Sequence, residues 1–314
     1  MNGVSGMKIA FMFSGQGAQF PGMMKDLCEA EPAARQVFDT ADGALGRDIS
    51  ALCFEGTQEA LNLTHNTQPC VLAADLAAAM ALRAHGVEPA GAAGFSLGEY
   101  AALAYAGAVG MRDVFEIIQH RADAMQEAVA PGKGAMAAMM GGSPEAVEAV
   151  CAAVTDGYVV AANYNSPAQT VISGESAAVD QAIALAREQR IKGKKLAVSA
   201  PFHCALMEPA ARSLEVLFET RTFDAPAIPV YMNVDAAAST DAAAIPGLLV
   251  RQAMSPVRWM QTLLNMRADD FDTFIECGPG HTLSGLAKKT LSDVTILWVG
   301  DAQTLRETLE ALGK

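Results

Sequence analysis

The sequence predicts an α/β protein in which a small domain is inserted into a larger one. In the larger part, short apolar runs end at glycine-rich loops and are followed by segments with helical spacing of apolar residues. In the middle of the chain the predicted order of elements changes to β-α-β-β-α-β, the ferredoxin-like arrangement. We therefore expect residues 1–126 and 200–314 to form the large domain and residues 127–199 to form the small one.

Each predicted element follows from an apolar run or from helical periodicity, with proline and glycine marking the ends. In the large domain, strands are predicted at residues 8–13, 90–95, 228–233 and 273–276, and helices at residues 22–40, 68–84, 97–106, 113–129, 206–218 and 257–266. In the small domain, strands are predicted at residues 135–140, 158–163, 170–173 and 195–199, and helices after Ser143 and at residues 177–189.

The composition excludes several classes of protein. The 314 residues carry 22 lysines and arginines against 35 aspartates and glutamates, a formal net charge of −13, which argues against a general nucleic-acid-binding protein. No stretch reaches the ~18 apolar residues of a membrane span, because Asp75 and Glu99 interrupt the two best candidates. The first seven residues lack the basic start and apolar core of a signal peptide. We expect a cytoplasmic protein that binds neither membrane nor nucleic acid.

The six cysteines are scattered, without a Cys-x-x-Cys pair or a histidine at zinc-site spacing. We therefore expect buried thiols and no metal site. Cys204 directly follows His203, so a Cys–His nucleophile pair is an alternative. Because neighbours on an extended segment point to opposite faces, the sequence argues against that pair.

The sharpest local signal is Gly94-Phe95-Ser96-Leu97-Gly98, which lies between a predicted strand and a predicted helix. This is the context of a nucleophile elbow, in which glycines leave room for a strained turn that exposes the serine hydroxyl. The helix N-terminus places unpaired N–H groups beside that hydroxyl, where they can hold a developing oxyanion. The sequence therefore predicts that Ser96 is a nucleophile on an α/β-hydrolase-like domain.

A serine nucleophile needs a base, and position favours two of the five histidines. His203 lies where the chain returns from the small domain to the large one, a common place for a site. His281 follows a Gly-Pro-Gly turn near the C-terminus, with Glu276 as a candidate acid. The pattern alone leaves both open. The other histidines, expected at a helix C-cap and at surface or partly buried positions, are His85, His65 and His120.

Two further features point to the binding of negative charge. The loop Gly15-Gln16-Gly17 lacks the third glycine of a dinucleotide fingerprint and the Lys-Ser/Thr pair of a P-loop. Its remaining use is to aim a backbone N–H at an oxyanion. Arg121 lies in a predicted helix just before the small domain. It either faces solvent or presents a planar fork that binds a carboxylate bidentately.

Together these motifs resemble the malonyl-CoA:acyl-carrier-protein transacylases of fatty-acid synthesis and their relatives in polyketide synthases. The matching stretches stand in family order and cover nearly the whole chain: residues 13–19, 94–100, 134–138, 163–174, 200–203, 252–259 and 276–286. Seven stretches in one order are far more specific than any single one.

The resemblance implies transfer of malonyl from malonyl-CoA to the thiol of acyl carrier protein through a serine ester, without a cofactor. Ser96 would be the nucleophile and His203 the general base, so His281 becomes a helix-start residue. The family has no acid that completes a triad. A backbone carbonyl near Gln252 would hold the imidazole instead.

The same resemblance assigns the remaining roles. The N–H groups of Gln16 and Leu97 would form the oxyanion hole, and Arg121 would bind the free carboxylate of malonate. The residues expected to support these groups are Gln68, Asn163 and Asn165.

The chain departs from the family pattern at two positions. Phe95 stands where the family usually has histidine, which changes the polarity beside the pocket, and Ser14 stands where it usually has proline. Phe202, directly before His203, matches the malonyl-selective version of its motif, and we expect its ring to crowd an α-methyl group.

The implied carrier protein is acidic, like this chain, so docking requires a local basic patch. The best candidate, for which a solvated helix end is the alternative, comprises Arg187, Arg190, Lys192, Lys194 and Lys195. We expect a monomer. The rival functions are a thioester hydrolase on the same scaffold, a docking subunit without catalysis, and a role in polyketide rather than fatty-acid synthesis. The pairing of Ser96 with His203 argues against the docking subunit, and Arg121 argues against the hydrolase.

Overall fold

The computed structural model describes residues 7–198 and 200–314 and shows a mixed α/β protein with two sheets. Within these residues the strands are β1 (Ile9–Phe13), β2 (Gly91–Gly94), β3 (Gly134–Met140), β4 (Val159–Ser166), β5 (Gln169–Glu175), β6 (Lys192–Lys195), β7 (Val230–Tyr231), β8 (Ala238–Ser239), β9 (Thr273–Cys277) and β10 (Thr295–Val299). The residues outside this description include the first six of the amino-terminal segment considered for a signal peptide and Ser199, the last residue of a predicted strand.

The helices cover both faces of the larger sheet and one face of the smaller one. Within the described residues they are α1 (Lys25–Ala30), α2 (Pro32–Leu45), α3 (Ile49–Glu55), α4 (Gln58–Leu61), α5 (Thr64–Ala84), α6 (Gly98–Tyr105), α7 (Met111–Glu127), α8 (Pro144–Ala152), α9 (Ser176–Glu188), α10 (Glu208–Phe218), α11 (Ile245–Met254), α12 (Trp259–Ala268), α13 (Thr282–Thr290) and α14 (Ala302–Ala311), with a 3₁₀ turn at Ala205–Met207 before α10.

The larger sheet has the order β10-β9-β1-β2-β7-β8, and all neighbours are parallel except β7 and β8. Its centre, β1, is apolar along its length because helices cover both of its faces. Phe13, the last residue of β1, pairs with Gly94 at the end of β2. The carboxyl ends of β1 and β2 therefore meet, which brings the loop after Phe13 beside Ser96.

Helix α5 carries the most buried stretch of the protein. From Thr67 to Ala79 every residue is buried, including Asp75. No helix within the described residues combines the length and the apolar character needed to cross a membrane.

The smaller sheet has the order β4-β5-β3-β6, with antiparallel neighbours throughout. Its elements occur in the predicted order β-α-β-β-α-β, and Ser143 caps α8 with Pro144 in the first turn, as the sequence predicts. One face packs against α8 and α9, and the other turns Met136 and Ala138 toward Phe202. Val257 bonds to the outer edge of β4, which ties this sheet to the chain after α11.

Several predicted boundaries are wrong. The helix predicted at residues 22–40 is two helices, because Pro32 leaves Glu31 extended (φ −121°, ψ 106°) and starts α2. The strand predicted at residues 195–199 is β6 at Lys192–Lys195, since the apolar residues after it leave the sheet and line a cavity. The strand predicted at residues 228–233 is confined to Val230–Tyr231.

Candidate active site

The turn after β2 has the geometry of a nucleophile elbow. Ser96 has a φ of +56°, in the left-handed region that residues other than glycine rarely adopt. A Cβ at Gly94 would lie 1.9 Å from the backbone oxygen of Gly98, and one at Gly98 would lie 2.4 Å from the backbone oxygen of Phe13. The prediction that only glycine fits on both sides of Ser96 is therefore confirmed.

Ser96 and His203 are in direct contact. The Oγ of Ser96 lies 2.7 Å from Nε2 of His203, whose Nδ1 lies 2.9 Å from the backbone oxygen of Gln252. Because a carbonyl only accepts, Nδ1 carries the proton and Nε2 accepts from the serine hydroxyl. Burial and the charge of Arg121 lower the pKa of His203 to about 4, so the imidazole is neutral and can act as a base at pH 7.

Arg121 is buried, with 1% of its surface exposed, so it does not face solvent. Its Nη1 donates to Oε1 of Gln68 at 2.7 Å, and its Nη2 donates to Oε1 of Gln252 at 3.0 Å and to Oγ of Ser96 at 3.1 Å. In the part of the chain that the structure describes, no carboxylate pairs with this guanidinium, and its Nε has no partner. A buried cation next to the nucleophile is therefore available to an anionic ligand.

The two residues predicted to supply the oxyanion donors, Gln16 and Leu97, line the same cavity as Ser96. Among the described residues, the backbone N–H groups of Gln16 and Leu97 have no hydrogen-bond acceptor. A hydrogen bond to a buried carboxylate restrains the loop of Gln16. Ser14, two residues before Gln16, donates from Oγ to Oδ1 of the buried Asp75 at 2.6 Å. The serine that replaces the family's usual proline thus anchors this loop.

A cavity of about 570 Å³ opens onto these groups. Asn163 and Asn165, which project from β4, form part of its wall, and Oδ1 of Asn165 has no partner within the described residues. In the same residues no hydrogen bond joins either asparagine to Ser96 or His203. Of the three residues expected to support the site, Gln68 alone has, among the described residues, a hydrogen bond to a functional side chain, that of Arg121.

Known proteins resemble this chain over nearly its full length. The acyl transferase domain family matches residues 10–306. The malonyl CoA-acyl carrier protein transacylase of Bacillus subtilis is 42% identical over 308 residues, which are 97% of each chain. The chain belongs to the acyl transferase family, and within it to the malonyl-CoA–acyl carrier protein transacylases.

Solved structures agree with this assignment. The acyl-carrier-protein S-malonyltransferase of Burkholderia pseudomallei is 42% identical, with a TM-score of 0.94, and the match covers 97% of this chain and 100% of that one. A malonyl-transacylase in complex with a type II PKS acyl-carrier protein is 39% identical, with a TM-score of 0.94 and coverage of 97% and 99%.

The structure gives the two candidate bases, His203 and His281, different positions. His281 is the residue before α13, with its ring 5.6 Å from that of Trp298. Glu276 does not support a second catalytic pair, because its two carboxylate oxygens accept from the backbone N–H groups of Leu283 and Ser284. The expectation of a helix-start role for His281 is confirmed.

The remaining histidines bond elsewhere in this transacylase. His85 is the C-cap of α5, as predicted, and its Nε2 lies 3.0 Å from Oε1 of Glu31. His65 is hydrogen-bonded to Asp123, and His120 is hydrogen-bonded to Ser213.

The cysteines are free thiols and all are buried, as the sequence predicts. The Sγ of Cys204 donates to the backbone oxygen of Pro201 at 3.1 Å. Within residues 7–198 and 200–314, no cluster of histidine, cysteine or carboxylate side chains is arranged to hold a metal ion.

Sequence reasoning missed two residues of this site and half the role of a third. Asn233 and Glu99 are fully buried behind the elbow, and burial raises the pKa of Glu99 to about 8. Gln252 contributes its side chain as well as its carbonyl, since its Nε2 donates to the backbone oxygen of Ser96 at 2.8 Å. One signal was present: Asn233 is a polar residue at the carboxyl end of a predicted parallel strand, where sites form.

Proposed function

We propose that the protein transfers a malonyl group from malonyl-CoA to the thiol of an acyl carrier protein through an ester on Ser96. The observation that carries this proposal is the buried Arg121, whose Nη2 lies 3.1 Å from the nucleophile hydroxyl and which pairs with no carboxylate in the described chain. A neutral acyl group gives such a cation no partner, whereas the free carboxylate of a malonyl group does. The names of the relatives support the same substrate pair.

In the first half-reaction, the Ser96 hydroxyl gives its proton to Nε2 of His203 as its Oγ attacks the thioester carbonyl. The carbonyl oxygen becomes an oxyanion, which accepts hydrogen bonds from the N–H groups of Gln16 and Leu97. The intermediate then collapses, the carbon–sulfur bond breaks, and the imidazolium returns its proton to the leaving thiolate of CoA. Malonyl remains as an ester on Ser96.

The second half-reaction runs the same steps with a different thiol. The carrier-protein thiol gives its proton to Nε2 of His203 and attacks the ester carbonyl. When the new intermediate collapses, the carbon–oxygen bond to Ser96 breaks and the imidazolium reprotonates the serine. All the proton transfers use one imidazole, and the bond from its Nδ1 to the carbonyl of Gln252 keeps that imidazole in one orientation. Neither half-reaction requires a cofactor.

Arg121 selects the acyl group. Its fork is held by Gln68 and Gln252, so it binds a carboxylate without reorganising. Charge-assisted hydrogen bonds contribute roughly 1.5–3 kcal/mol each, enough to favour malonyl over acetyl by tens to hundreds of fold. We assign Asn163 and Asn165 to the wall of the cavity rather than to direct support of the reacting groups.

We infer that residues 127–199 form a ferredoxin-like domain inserted into an α/β-hydrolase-like domain made of residues 1–126 and 200–314. The antiparallel order β4-β5-β3-β6 supports the first part. The elbow between β2 and α6 on a mainly parallel sheet supports the second. The cavity lies where the two parts meet, since it is lined by Met136 of β3 and by Ser96.

We assign carrier-protein docking to exposed cations at the rim of the cavity. Lys192 and Lys194 are exposed on β6, and the next residues of the chain, Leu196 and Val198, line the cavity. Lys195 is a weaker candidate, because its Nζ lies 2.7 Å from a carboxylate oxygen of Asp180. The remaining members of the patch, both exposed at the end of α9 or just beyond it, are Arg187 and Arg190.

Incubation with labelled malonyl-CoA and carrier protein bearing its phosphopantetheine thiol tests the function. We expect the label on the carrier protein, at a rate far above the release of free malonate. Release of free malonate as the main product would indicate a thioester hydrolase instead. Absence of both products would overturn the proposal.

A further inference from the structure

The strained turn at Ser96 is held by a side chain from a distant part of the chain. Asn233, just beyond β7, is fully buried, and its amide makes two hydrogen bonds to the elbow. Its Oδ1 accepts from the backbone N–H of Ser96 at 2.8 Å, and its Nδ2 donates to the backbone oxygen of Gly94 at 2.7 Å. Beyond Gly94, where β2 ends, the larger sheet adds one bond to the elbow, from the N–H of Phe95 to the backbone oxygen of Phe13 at 2.9 Å, and the two bonds of Asn233 come in addition to it.

Asn233 is held in turn by the helix that begins at the elbow. Its backbone N–H donates to Oε2 of Glu99 at 2.5 Å, and Glu99 lies buried in the first turn of α6. The end of β7 thus holds the turn that leads into α6, while α6 holds the end of β7. Together, the hydrogen bonds among Asn233, Glu99 and the elbow restrain the backbone of Ser96.

The two backbone groups of Ser96 bond to different kinds of residue. Its N–H bonds to Asn233, and its C=O accepts from Nε2 of Gln252. Gln252 also contacts Arg121 and His203, so changing it disturbs the whole site. Among the described residues, Asn233 has no hydrogen bond to the side chain of Arg121 or His203 and does not line the cavity, so we expect it to act on the reaction through the elbow.

We propose that Asn233 is a positioning residue for acyl transfer, because it keeps Ser96 in the left-handed conformation that sets its Oγ against His203. The same conformation sets the direction of the next N–H, that of Leu97, toward the oxyanion. Misplacement of a reacting group by ~1 Å costs about 100-fold in rate. The proposal rests on the proposed function only for the choice of substrate, since any reaction of Ser96 requires the same geometry.

The first test is Asn233→Ala, with Asn265→Ala as the matched control. Asn265 also donates a side-chain bond to a backbone oxygen of the loop after β7, that of Ala236, at 2.9 Å. We expect Asn233→Ala to lower kcat by about 100-fold and to change the KM for malonyl-CoA by less than about threefold. The rate at which a neutral organophosphonate labels Ser96 falls by the same factor as kcat. The control keeps both rates.

The second variant, Asn233→Asp, does not depend on the alanine variant folding. A protonated aspartic acid accepts from Ser96 and donates to Gly94, as asparagine does, whereas an ionised one cannot donate and repels the Gly94 oxygen. Burial next to the carboxyl of Glu99 raises the pKa of the introduced carboxyl above its ordinary value. We expect the ratio of its kcat to that of the unaltered protein to fall by about tenfold as the pH rises from about 5.5 to 7.5.

A ratio that does not change with pH, or an Asn233→Ala protein within about threefold of the unaltered kcat, overturns the proposal. So does equal loss in the Asn265→Ala control. The organophosphonate separates this inference from the proposed function. If the unaltered protein does not transfer malonyl, the proposed function alone is wrong. If the phosphonate labels Asn233→Ala at the rate of the unaltered protein, the positioning role alone is wrong.

Discussion

The Nε2 atom of His203 lies 2.7 Å from the Oγ of Ser96, although the two residues are 107 positions apart in the chain. The smaller sheet lies between them in sequence, and the chain re-enters the larger part at His203, which has a φ of +60°. Arg121, on the last helix before the smaller sheet, also reaches Ser96. The smaller sheet is thus bracketed in sequence by the two residues that flank the nucleophile.

This geometry predicts an unusual pH dependence. The pKa of His203 is about 4, so its imidazole becomes protonated only as the pH falls toward that value. An ordinary imidazole is protonated at about pH 6.5. We expect the rate at which an organophosphonate labels Ser96 to stay nearly constant from about pH 7.5 to 5.5 and to fall below that. A neutral probe is used because malonate itself titrates in acid.

Arg121→Gln provides the control for the pH experiment, because it removes the positive charge that helps to lower the pKa of His203. Its acid limb is expected at higher pH than that of the unaltered protein. An acid limb near about pH 6.5 in the unaltered protein would contradict this account of the imidazole.

The second prediction concerns the choice of acyl group. Arg121→Ala removes the cation that binds the malonyl carboxylate, and it also removes bonds to Ser96, Gln68 and Gln252. The absolute rate therefore falls for every substrate, so the informative quantity is the ratio of kcat/KM for malonyl-CoA to that for acetyl-CoA. We expect this ratio to fall by about tens to hundreds of fold.

Arg112→Ala is the matched control for Arg121, because Arg112 lies on the same helix with its side chain 65% exposed. It should leave the malonyl-to-acetyl ratio unchanged. An unchanged ratio in Arg121→Ala would remove this arginine from substrate selection.

The third prediction concerns the size of the acyl group. Phe202 is buried, lines the cavity and directly precedes His203. Phe202→Ala is expected to raise the kcat/KM for methylmalonyl-CoA relative to malonyl-CoA by about tenfold, since one methyl group is worth ~1–3 kcal/mol in such a pocket. Met136→Ala enlarges the same cavity from β3 and serves as the control. If both variants gain equally, or if the unaltered protein uses both substrates at equal rates, Phe202 has no special role.

The fourth prediction concerns the carrier protein. Reversing Lys192 and Lys194 to glutamate should raise the KM for carrier protein by about three- to tenfold at low salt, and less at high salt. Acylation of Ser96 by malonyl-CoA alone, measured as a single turnover, should not change. Reversing Lys133 and Lys314, which are also exposed, gives the same change in net charge elsewhere. Equal effects of the two double variants would show that only net charge matters.

Local sequence predicts the parts of the site that local structure builds. The elbow is visible because a strand, two glycines and a helix start lie within a few residues of Ser96. The choice of His203 over His281 required the resemblance to a family, since both follow loops at plausible places. The misplaced β6 has a physical reason: its lysines occupy an edge strand, where charge is tolerated, and the apolar residues after it face the cavity.

The burial of Arg121 had a readable signal. It falls in phase with Ile117, Ile118 and Met125 of α7, so it lies on the apolar stripe of that helix rather than on its polar face. For Asn233 the strand end indicates only the region of a site, and no local pattern indicates that Asn233 and Gln252 bond to the backbone of Ser96. These bonds join residues 137 and 156 positions apart, and only the arrangement of strands in the larger sheet brings them together.

The most direct test is mass spectrometry of the protein after incubation with malonyl-CoA alone. We expect one malonyl ester per chain, located on Ser96, absent from Ser96→Ala, and discharged when carrier-protein thiol is added. Labelling that persists in Ser96→Ala, or a protein that turns over malonyl-CoA and carrier protein without ever carrying the ester, would contradict this expectation.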